Sequence, residues 1–301
     1  MKISPHLNLP VIRACLFDMD GLLIDSEDKY TLCTNEILRE FGKPNIPWSI
    51  KAQLQGRPGP EASKIFQKWA QLPIPMEEFY AKTRALQAKH FPSTKPLPGA
   101  ETLLSTIAKA DPPVHIALAT SSHAANFVLK TTHLEPLFSV FTDEHRVLGD
   151  DTRIPPGRGK PAPDIYTLAL KTINDRLKRE GEDEIYPEEC LVFEDSVPGV
   201  EAGRRAGMQV IWCPHEGLLN EFRGREKEVL AGLMGEHVED VGQKVVEEVK
   251  EDIPGKEQRT HRKVRGEPGE IDDGWAKFVR SLEDFPYEWY GIKVDKGGSS
   301  L

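Results

Sequence analysis

Two aspartates one residue apart, Asp18 and Asp20, follow an apolar run over residues 11–17. A run of this kind predicts a buried parallel strand that ends at the carboxylates. Ligands of open α/β sheets bind beyond the carboxyl ends of the strands. Two carboxylates repel each other there unless a cation or a shared proton offsets their charge. The pair therefore suggests a metal-assisted reaction in which one aspartate attacks and the other transfers a proton.

Three further segments place polar residues at the end of a predicted strand or in the turn after it. Thr120 and Ser121 follow a second apolar run, where hydroxyls and backbone amides suit a phosphate group. Lys160 stands in a proline-bounded turn, and Glu194 and Asp195 end another apolar run. Each segment alone is explained more simply by a turn, a helix cap or a solvated lysine. Their joint occurrence at strand ends favours one shared site.

The elements that position these residues alternate between strand-like and helical stretches, which predicts a parallel sheet flanked by helices. The predicted strands are 11–17, 114–120, 139–142, 190–194, 209–213 and, more weakly, 275–279. The long interval between the first two strands carries apolar residues at helical spacing over 30–41, 61–70 and 76–90. An interval of this size is too long for a loop and predicts a small helical domain.

The expected domain boundaries follow from this reading. Residues 1–27 and 94–292 form the sheet domain, residues 28–93 form the helical domain, and residues 293–301 form a flexible tail. Residues 219–249 are compatible with a helix, whereas residues 250–273 are highly charged and nearly free of apolar side chains. We expect that charged segment to be mobile and order to resume at Trp275.

Composition limits the class of protein. The 301 residues carry a formal net charge of -9, which argues against general nucleic-acid binding. No apolar run is long enough to cross a bilayer, and we expect no membrane partner. The four cysteines form no C-x-x-C pair, so free thiols and a cytoplasmic location are expected. We also expect a monomer, because nothing in the sequence marks an interface.

Together the four polar segments resemble, in order and spacing, the four motifs of the haloacid-dehalogenase superfamily. The resemblance extends from about Val11 to Cys213. The helical interval is similar to the small α-helical cap of the subgroup that includes phosphoglycolate phosphatase and β-phosphoglucomutase. The resemblance implies an α/β fold: a Rossmann-like parallel sheet core with helices on both faces, plus an inserted α-helical cap domain.

The resemblance also implies the roles of the acidic residues. Asp18 would attack phosphorus and form an aspartyl-phosphate, as carboxylate nucleophiles do. Asp20 would protonate the leaving oxygen and then deprotonate the attacking water. Mg²⁺ would be held by the Asp18 carboxylate, the Asp20 backbone carbonyl and Asp195, with Glu194 as a direct or water-mediated ligand.

Other residues are expected to hold the substrate. By the same resemblance, Thr120, the Ser121 amide and Lys160 would hold the phosphoryl oxygens. Residues 55–59 form the loop of the helical domain that we expect to face the active site. We hypothesise that Arg57 contacts the leaving group, and a solvated arginine in a turn is an equally good explanation.

A closer resemblance is to the eukaryotic pseudouridine-5'-phosphatase group, in segments 18–27, 117–122, 147–151, 159–165 and 190–195. Segment 281–285 is similar to the last helix of that group. The implied function is a magnesium-dependent phosphatase acting on a small phosphomonoester, such as a pseudouridine 5'-phosphate-like nucleotide or a sugar or polyol phosphate. Related eukaryotic members act on glycerol phosphate or FMN. The chain departs from the group over residues 174–186 and 223–273, which leaves the substrate open.

Three alternatives stay open. A phosphomutase of the β-phosphoglucomutase type carries a histidine twelve residues after the nucleophile, where this chain has Tyr30. The phosphonate-cleaving branch uses a cap lysine, and Lys51, Lys64 and Lys68 are available. A binding or regulatory protein without turnover is disfavoured because the motif residues are intact.

Overall fold

Six parallel strands form one sheet in the part of the chain that the structure, a computed structural model, describes: residues 9–57, 59–235 and 266–294. In chain order they are β1 (Ala14–Phe17), β2 (His115–Ala119), β3 (Arg146–Val147), β4 (Cys190–Glu194), β5 (Gln209–Trp212) and β6 (Ala276–Phe278). The order across the sheet is β3-β2-β1-β4-β5-β6, and every neighbouring pair is parallel.

The register brings the ends of the central strands level with one another. Phe17 at the end of β1 pairs with Leu118 of β2 on one side and with Phe193 of β4 on the other. Residues that follow these three strands therefore emerge at the same edge of the sheet. A shared edge is what the predicted site requires.

Eleven α-helices complete the described part of the chain. They are α1 (Ser26–Glu40), α2 (Trp48–Leu54), α3 (Gly59–Ala70), α4 (Met76–His90), α5 (Ala100–Ile107), α6 (Ala124–Thr131), α7 (Glu135–Phe138), α8 (Asp164–Glu180), α9 (Val197–Arg205), α10 (Glu216–Glu221) and α11 (Glu226–Ala231). None of the described helices is long and apolar enough to span a membrane.

Helices cover both faces of the sheet, because alternate strand residues point to opposite sides. Phe17 belongs to a buried cluster with Leu104 of α5, whereas its neighbour Leu16 belongs to a second cluster with Tyr166 of α8. Strands that are buried on both faces have continuous apolar sequences, and these apolar runs are why the strands could be predicted. The predicted Rossmann-like α/β fold is confirmed.

The interval between β1 and β2 contains α1, α2, α3 and α4, followed by α5. The part that holds α1 to α4 is the helical interval. It has a hydrophobic cluster of its own, which includes Ile37, Leu38, Phe66 and Phe79. The predicted helices correspond to α1, α3 and α4. The sequence did not predict α2, because a seven-residue helix that follows Pro47 carries too few turns for a clear periodicity.

The predicted strand over residues 139–142 is wrong. These residues form a turn after α7, and the edge strand β3 comes later in the chain. Phe141 is fully buried because its ring packs on Phe17, with 5.9 Å between the ring centroids. A turn that buries its apolar residues looks like a strand in sequence, and two-residue β3 is too short to leave a pattern.

The C-terminal third is only partly described. Of the helix-compatible residues 219–249, the first part forms the end of α10 and all of α11, and residues 236–249 lie outside the described residues. Most of the segment predicted to be mobile, 250–265, and the tail 295–301 also lie outside them. Residues 266–273 contact α9, where the Arg205 Nε donates to the Gly266 carbonyl at 2.8 Å.

Past Trp275 the chain forms β6, which pairs with β5. The expected helix over residues 281–285 is wrong, because these residues form turns that bury Leu282 and Phe285. A short 3-10 helix, Tyr287–Tyr290, follows instead. The apolar side chains reach the core without a helix.

Candidate active site

The predicted motif residues meet at the carboxyl ends of the central strands. Asp18 directly follows β1, Thr120 directly follows β2, and Glu194 is the last residue of β4. Lys160 and Asp195 lie on the loops beside them. All five are no more than 5 % exposed. The structure thus gathers side chains from four separate segments into one enclosed polar site.

Lys160 is shared by two carboxylates. Its ammonium lies 2.5 Å from Asp18 Oδ1 and 2.6 Å from Glu194 Oε1, and it donates to the Ala119 carbonyl at 3.1 Å. An ammonium has three protons, and these three acceptors match them. The neighbouring negative charges outweigh desolvation and raise the pKa of Lys160, so it stays charged. Tyr166 also donates to Glu194 Oε1, at 2.5 Å.

Asp18, Glu194 and Asp195 form a buried acidic group with carboxylate oxygens within 4.8 Å of one another. Burial raises the pKa of Asp18 to about 7, against the lowering effect of Lys160 and with further raising by Glu194 and Asp20. Burial and the charges of Asp18 and Glu194 raise the pKa of Asp195 well above its usual range. A crowded set of hard oxygen donors with excess negative charge fits Mg²⁺.

The turn after β4 is built around the Glu194 carboxylate. Its Oε2 accepts from the Asp195 amide at 3.1 Å and from the Ser196 amide and hydroxyl at 3.2 and 3.0 Å. Ser196 also caps α9 by accepting from the Gly199 amide. Position 199 requires glycine, because a Cβ there would collide with the Glu194 carboxylate. The sequence Glu194-Asp195-Ser196 therefore folds into a turn that aims Asp195 at the site.

Asp20 lies apart from the acidic group and has its own partners. Its Oδ1 accepts from Ser26 and from Lys130, each at 2.5 Å. Its Oδ2 accepts from Ser122 at 2.6 Å and from Thr120 at 3.3 Å. Burial raises the pKa of Asp20, but the Lys130 ammonium and the hydroxyl donors outweigh it and lower the pKa.

The loop after α2 packs directly on the site. Gln55 donates through Nε2 to Asp195 Oδ2 at 2.5 Å, and Ser121 Oγ donates to the Gly56 carbonyl at 3.2 Å. Gly56 has φ +75° and lies against Ser196, so a side chain there would collide. Arg57 is half-buried, and its Nε donates to the Gln53 carbonyl at 2.8 Å. This loop packs against the site, and its Gln55 contacts the Asp195 carboxylate.

Sequence reasoning did not assign a role to Lys130, Gln55 or Tyr166. Lys130 could have been noticed as a charged residue on the apolar side of α6, where Phe127 and Thr131 are also buried. Gln55 and Tyr166 carry no such signal, because their contacts depend on how the helices pack. Lys51, considered above as a cap nucleophile, lies 3.5 Å from Glu27 in an ion pair.

Comparison with known proteins identifies the family. The family model for haloacid dehalogenase-like hydrolases matches residues 12–207. This chain belongs to the haloacid dehalogenase-like hydrolases. The matched range ends before the charged segment 223–273, which therefore lies outside the part that the family model covers.

Two similar proteins are named as phosphatases, and a similar solved structure contains phosphate. A Saccharomyces cerevisiae protein named "Probable pseudouridine-5'-phosphatase" is 47% identical over 204 residues, which are 68% of this chain and 83% of that protein. The Arabidopsis thaliana (DL)-glycerol-3-phosphatase 1 is 35% identical over 225 residues, or 74% of this chain and 71% of that protein. The crystal structure of CbbY from Rhodobacter sphaeroides in complex with phosphate is 25% identical, with a TM-score of 0.52. It covers 68% of this chain and 88% of that one.

The raised pKa of Asp18 predicts a pH-dependent stability effect in metal-free protein. A folded carboxyl with a pKa of about 7 binds its proton more tightly than the unfolded one at 3.8, so folding loses stability as pH rises between these values. Asp18→Asn removes this titration. In EDTA, the free energy of unfolding of Asp18→Asn minus that of the wild type should rise by more than about 1 kcal/mol from pH 4 to pH 7.

Urea unfolding at several pH values measures this difference. Asp175→Asn is the matched control, because Asp175 pairs with Lys171 on an exposed part of α8, and its difference from the wild type should stay nearly constant. A flat or falling difference for Asp18→Asn would contradict the electrostatic account of the site.

Proposed function

We propose that this hydrolase is a magnesium-dependent phosphatase that cleaves a small phosphomonoester through an aspartyl-phosphate on Asp18. One observation carries the proposal. Asp18 stands in a buried acidic group beside Lys160, whereas Asp20, two residues away, has a separate set of donors. Two carboxylates in different environments can take two different roles.

The proposed reaction has two steps. An Asp18 carboxylate oxygen bonds to phosphorus as the bond to the ester oxygen breaks, and Asp20 gives a proton to that leaving oxygen. Water then attacks the phosphorus of the aspartyl-phosphate, and Asp20 takes its proton. Phosphate leaves, and the Asp18 carboxylate is restored. Asp20 accepts hydrogen bonds from four donors, and this environment favours the carboxylate form, which accepts the proton in the second step.

The proposed magnesium site uses Asp18, Asp195 and the backbone carbonyl of Asp20. When bound, the cation would neutralise the negative charge that Asp18 and the phosphoryl group bring together. Both oxygens of Glu194 already accept from protein donors: Oε1 from Lys160 and Tyr166, Oε2 from the turn after β4. This occupancy supports a water-mediated role for Glu194 over direct coordination.

Thr120, the Ser121 amide and Lys160 are proposed to hold the phosphoryl oxygens. Lys160 contacts Asp18, and Thr120 and Ser121 follow β2 at the edge of the sheet where Asp18 follows β1. Phosphoryl transfer depends mainly on such positioning and charge neutralisation. The Lys160 ammonium already has three acceptors, so it must exchange one of them for a phosphoryl oxygen when substrate binds. The side chain of Lys160 therefore has to stay free to shift slightly during turnover.

We propose that residues 28–93 act as a cap domain on a core formed by residues 1–27 and 94–292. The separate hydrophobic cluster of the helical interval and the contact of its Gln55 with Asp195 support this division. A lid of this kind would exclude water and touch the leaving group. A monomeric enzyme in the cytoplasm is part of the proposal, and the four free cysteines are compatible with the reducing conditions there.

The proposed substrate is a pseudouridine 5'-phosphate-like nucleotide, by similarity to the yeast relative. Glycerol phosphate is the second candidate, because the Arabidopsis relative is named a glycerol-3-phosphatase. A phosphomutase is disfavoured because Tyr30 stands where the mutase has a histidine and cannot serve in its place. The Tyr30 hydroxyl accepts from Lys130 at 2.9 Å. Small phosphorylated metabolites remain the substrate class throughout.

The catalytic proposal predicts phosphate release that needs both Mg²⁺ and Asp18. We expect the wild type to release phosphate from at least one compound in a panel of nucleotide, sugar, polyol and flavin monophosphates with Mg²⁺, and none in EDTA. Asp18→Asn should lower kcat by at least about 1,000-fold, because the nucleophile is lost. Magnesium-dependent release by Asp18→Asn at the wild-type rate would refute the role of Asp18. Transfer of phosphate within a sugar phosphate, without release, would favour the mutase.

The proposal for Arg57 is tested on the same panel. If Arg57 contacts the leaving group, Arg57→Ala should raise KM about 10-fold for the best substrate, since a hydrogen bond to a charged group is lost. The ranking of substrates should change as well. Arg225→Ala is the control, because Arg225 is exposed and forms an ion pair with Glu228, three residues later in the chain. Equal kinetics for Arg57→Ala and Arg225→Ala across the panel would remove Arg57 from the site.

A further inference from the structure

Lys130 is a buried lysine that neither the motifs nor the proposed reaction accounts for. It lies on α6 and is fully buried. Its ammonium donates to Asp20 at 2.5 Å, to Ser122 at 2.7 Å and to Tyr30 at 2.9 Å. A charge taken out of water is tolerated only with such partners. The cost of burying this ammonium indicates that its contact with Asp20 has a use.

Lys130 is the charged member among the four donors that hold the Asp20 side chain. Ser26 and Lys130 donate to Oδ1, whereas Ser122 and Thr120 donate to Oδ2. Ser122 in turn accepts from Lys130, so the lysine fixes both the carboxylate and one of its other donors. Four donors on a group with about four lone-pair positions restrict how the carboxylate can turn. The orientation of Asp20 is therefore set by the chain before any substrate arrives.

Lys130 is itself held from the two places where the chain crosses between the sheet and the helical interval. Its ammonium lies 4.5 Å from the Tyr30 ring centroid and 4.8 Å from that of Phe91. The two rings meet edge to face, with centroids 4.9 Å apart. The Lys130 carbonyl accepts from Thr94 Oγ1 at 2.7 Å. The two rings enclose the ammonium beside Asp20, and Thr94 holds the backbone of Lys130.

We infer that Lys130 is a positioning residue that orients the Asp20 carboxylate for the water-activating half of the reaction. The inference rests on the proposed function and deepens it. A base acts only within hydrogen-bond reach of the proton it removes, and a misplacement of 1 Å can cost about 100-fold in rate. Without the ammonium, Oδ1 keeps Ser26 alone and the Ser122 hydroxyl loses its own anchor. Asp20 would then be poorly placed to deprotonate water, while Asp18 would still attack.

The two half-reactions can be separated with 4-nitrophenyl phosphate and Mg²⁺, because nitrophenolate leaves without needing a proton. Rapid quench measures the rates at which Asp18 is phosphorylated and dephosphorylated, and mass spectrometry measures the phosphorylated fraction. In Lys130→Met we expect dephosphorylation to slow about 100-fold and phosphorylation to slow less than about 5-fold. The phosphorylated fraction should rise accordingly. Lys171→Met, an exposed lysine on α8, is the matched control and should leave both rates unchanged.

Circular dichroism and thermal unfolding establish whether Lys130→Met folds. If it does not, Lys130→Gln, which keeps a polar group in the cavity, should show the same unequal slowing. Equal slowing of the two half-reactions, or a dephosphorylation rate within threefold of the wild type, would show that Lys130 is merely structural and would overturn the inference. A wild type that forms no phosphorylated protein at all would instead overturn the proposed function. The two failures are thus distinguishable.

Discussion

The architecture of the site depends on one constraint: three buried carboxylates, Asp18, Glu194 and Asp195, are crowded around one lysine. Their oxygens lie within 4.8 Å of one another, and Lys160 forms ion pairs with Asp18 and Glu194. Like charges at that separation in a buried setting oppose each other strongly, and one ammonium leaves an excess of negative charge. Folding brings these residues together because the register holds β1 and β4 level and because the turn after β4 is fixed through Glu194. The fold therefore leaves an excess of negative charge at this site, which a further cation would neutralise.

A second lysine, Lys130, gives Asp20 an electrostatic environment that differs from that of Asp18. Asp18 faces the acidic group and Lys160, and its pKa is raised to about 7, chiefly by burial. For Asp20, burial is outweighed by Lys130 and the hydroxyl donors, which lower the pKa. The two side chains are two positions apart in sequence, yet they leave the strand end in different directions and meet different partners. Chemically equivalent residues thus obtain different properties from their surroundings, which is what a nucleophile and a proton-transfer residue require.

Most of the fold and the motif residues could be predicted from the sequence, because both depend on local signals. Strands buried on both faces leave apolar runs, and the polar residues that end them are visible as breaks, as at Phe17-Asp18 and Phe193-Glu194. The turn at Phe141 was mistaken for a strand because its burial comes from tertiary packing on Phe17, which leaves no period in the sequence. Contacts between residues that are far apart in the sequence could not be predicted either. Gln55 meets Asp195 and Lys130 meets Asp20 only after the helices have packed.

The proposed magnesium site in the buried acidic group of Asp18 and Asp195 can be tested by binding. Isothermal titration calorimetry of Mg²⁺ into the wild type, Asp195→Asn and the exposed control Asp175→Asn measures the affinity directly. We expect one Mg²⁺ per chain for the wild type and the control, and an affinity at least about 10-fold lower for Asp195→Asn, since a hard, charged ligand is lost. Equal Mg²⁺ affinity in Asp195→Asn and the wild type would contradict magnesium binding at this group.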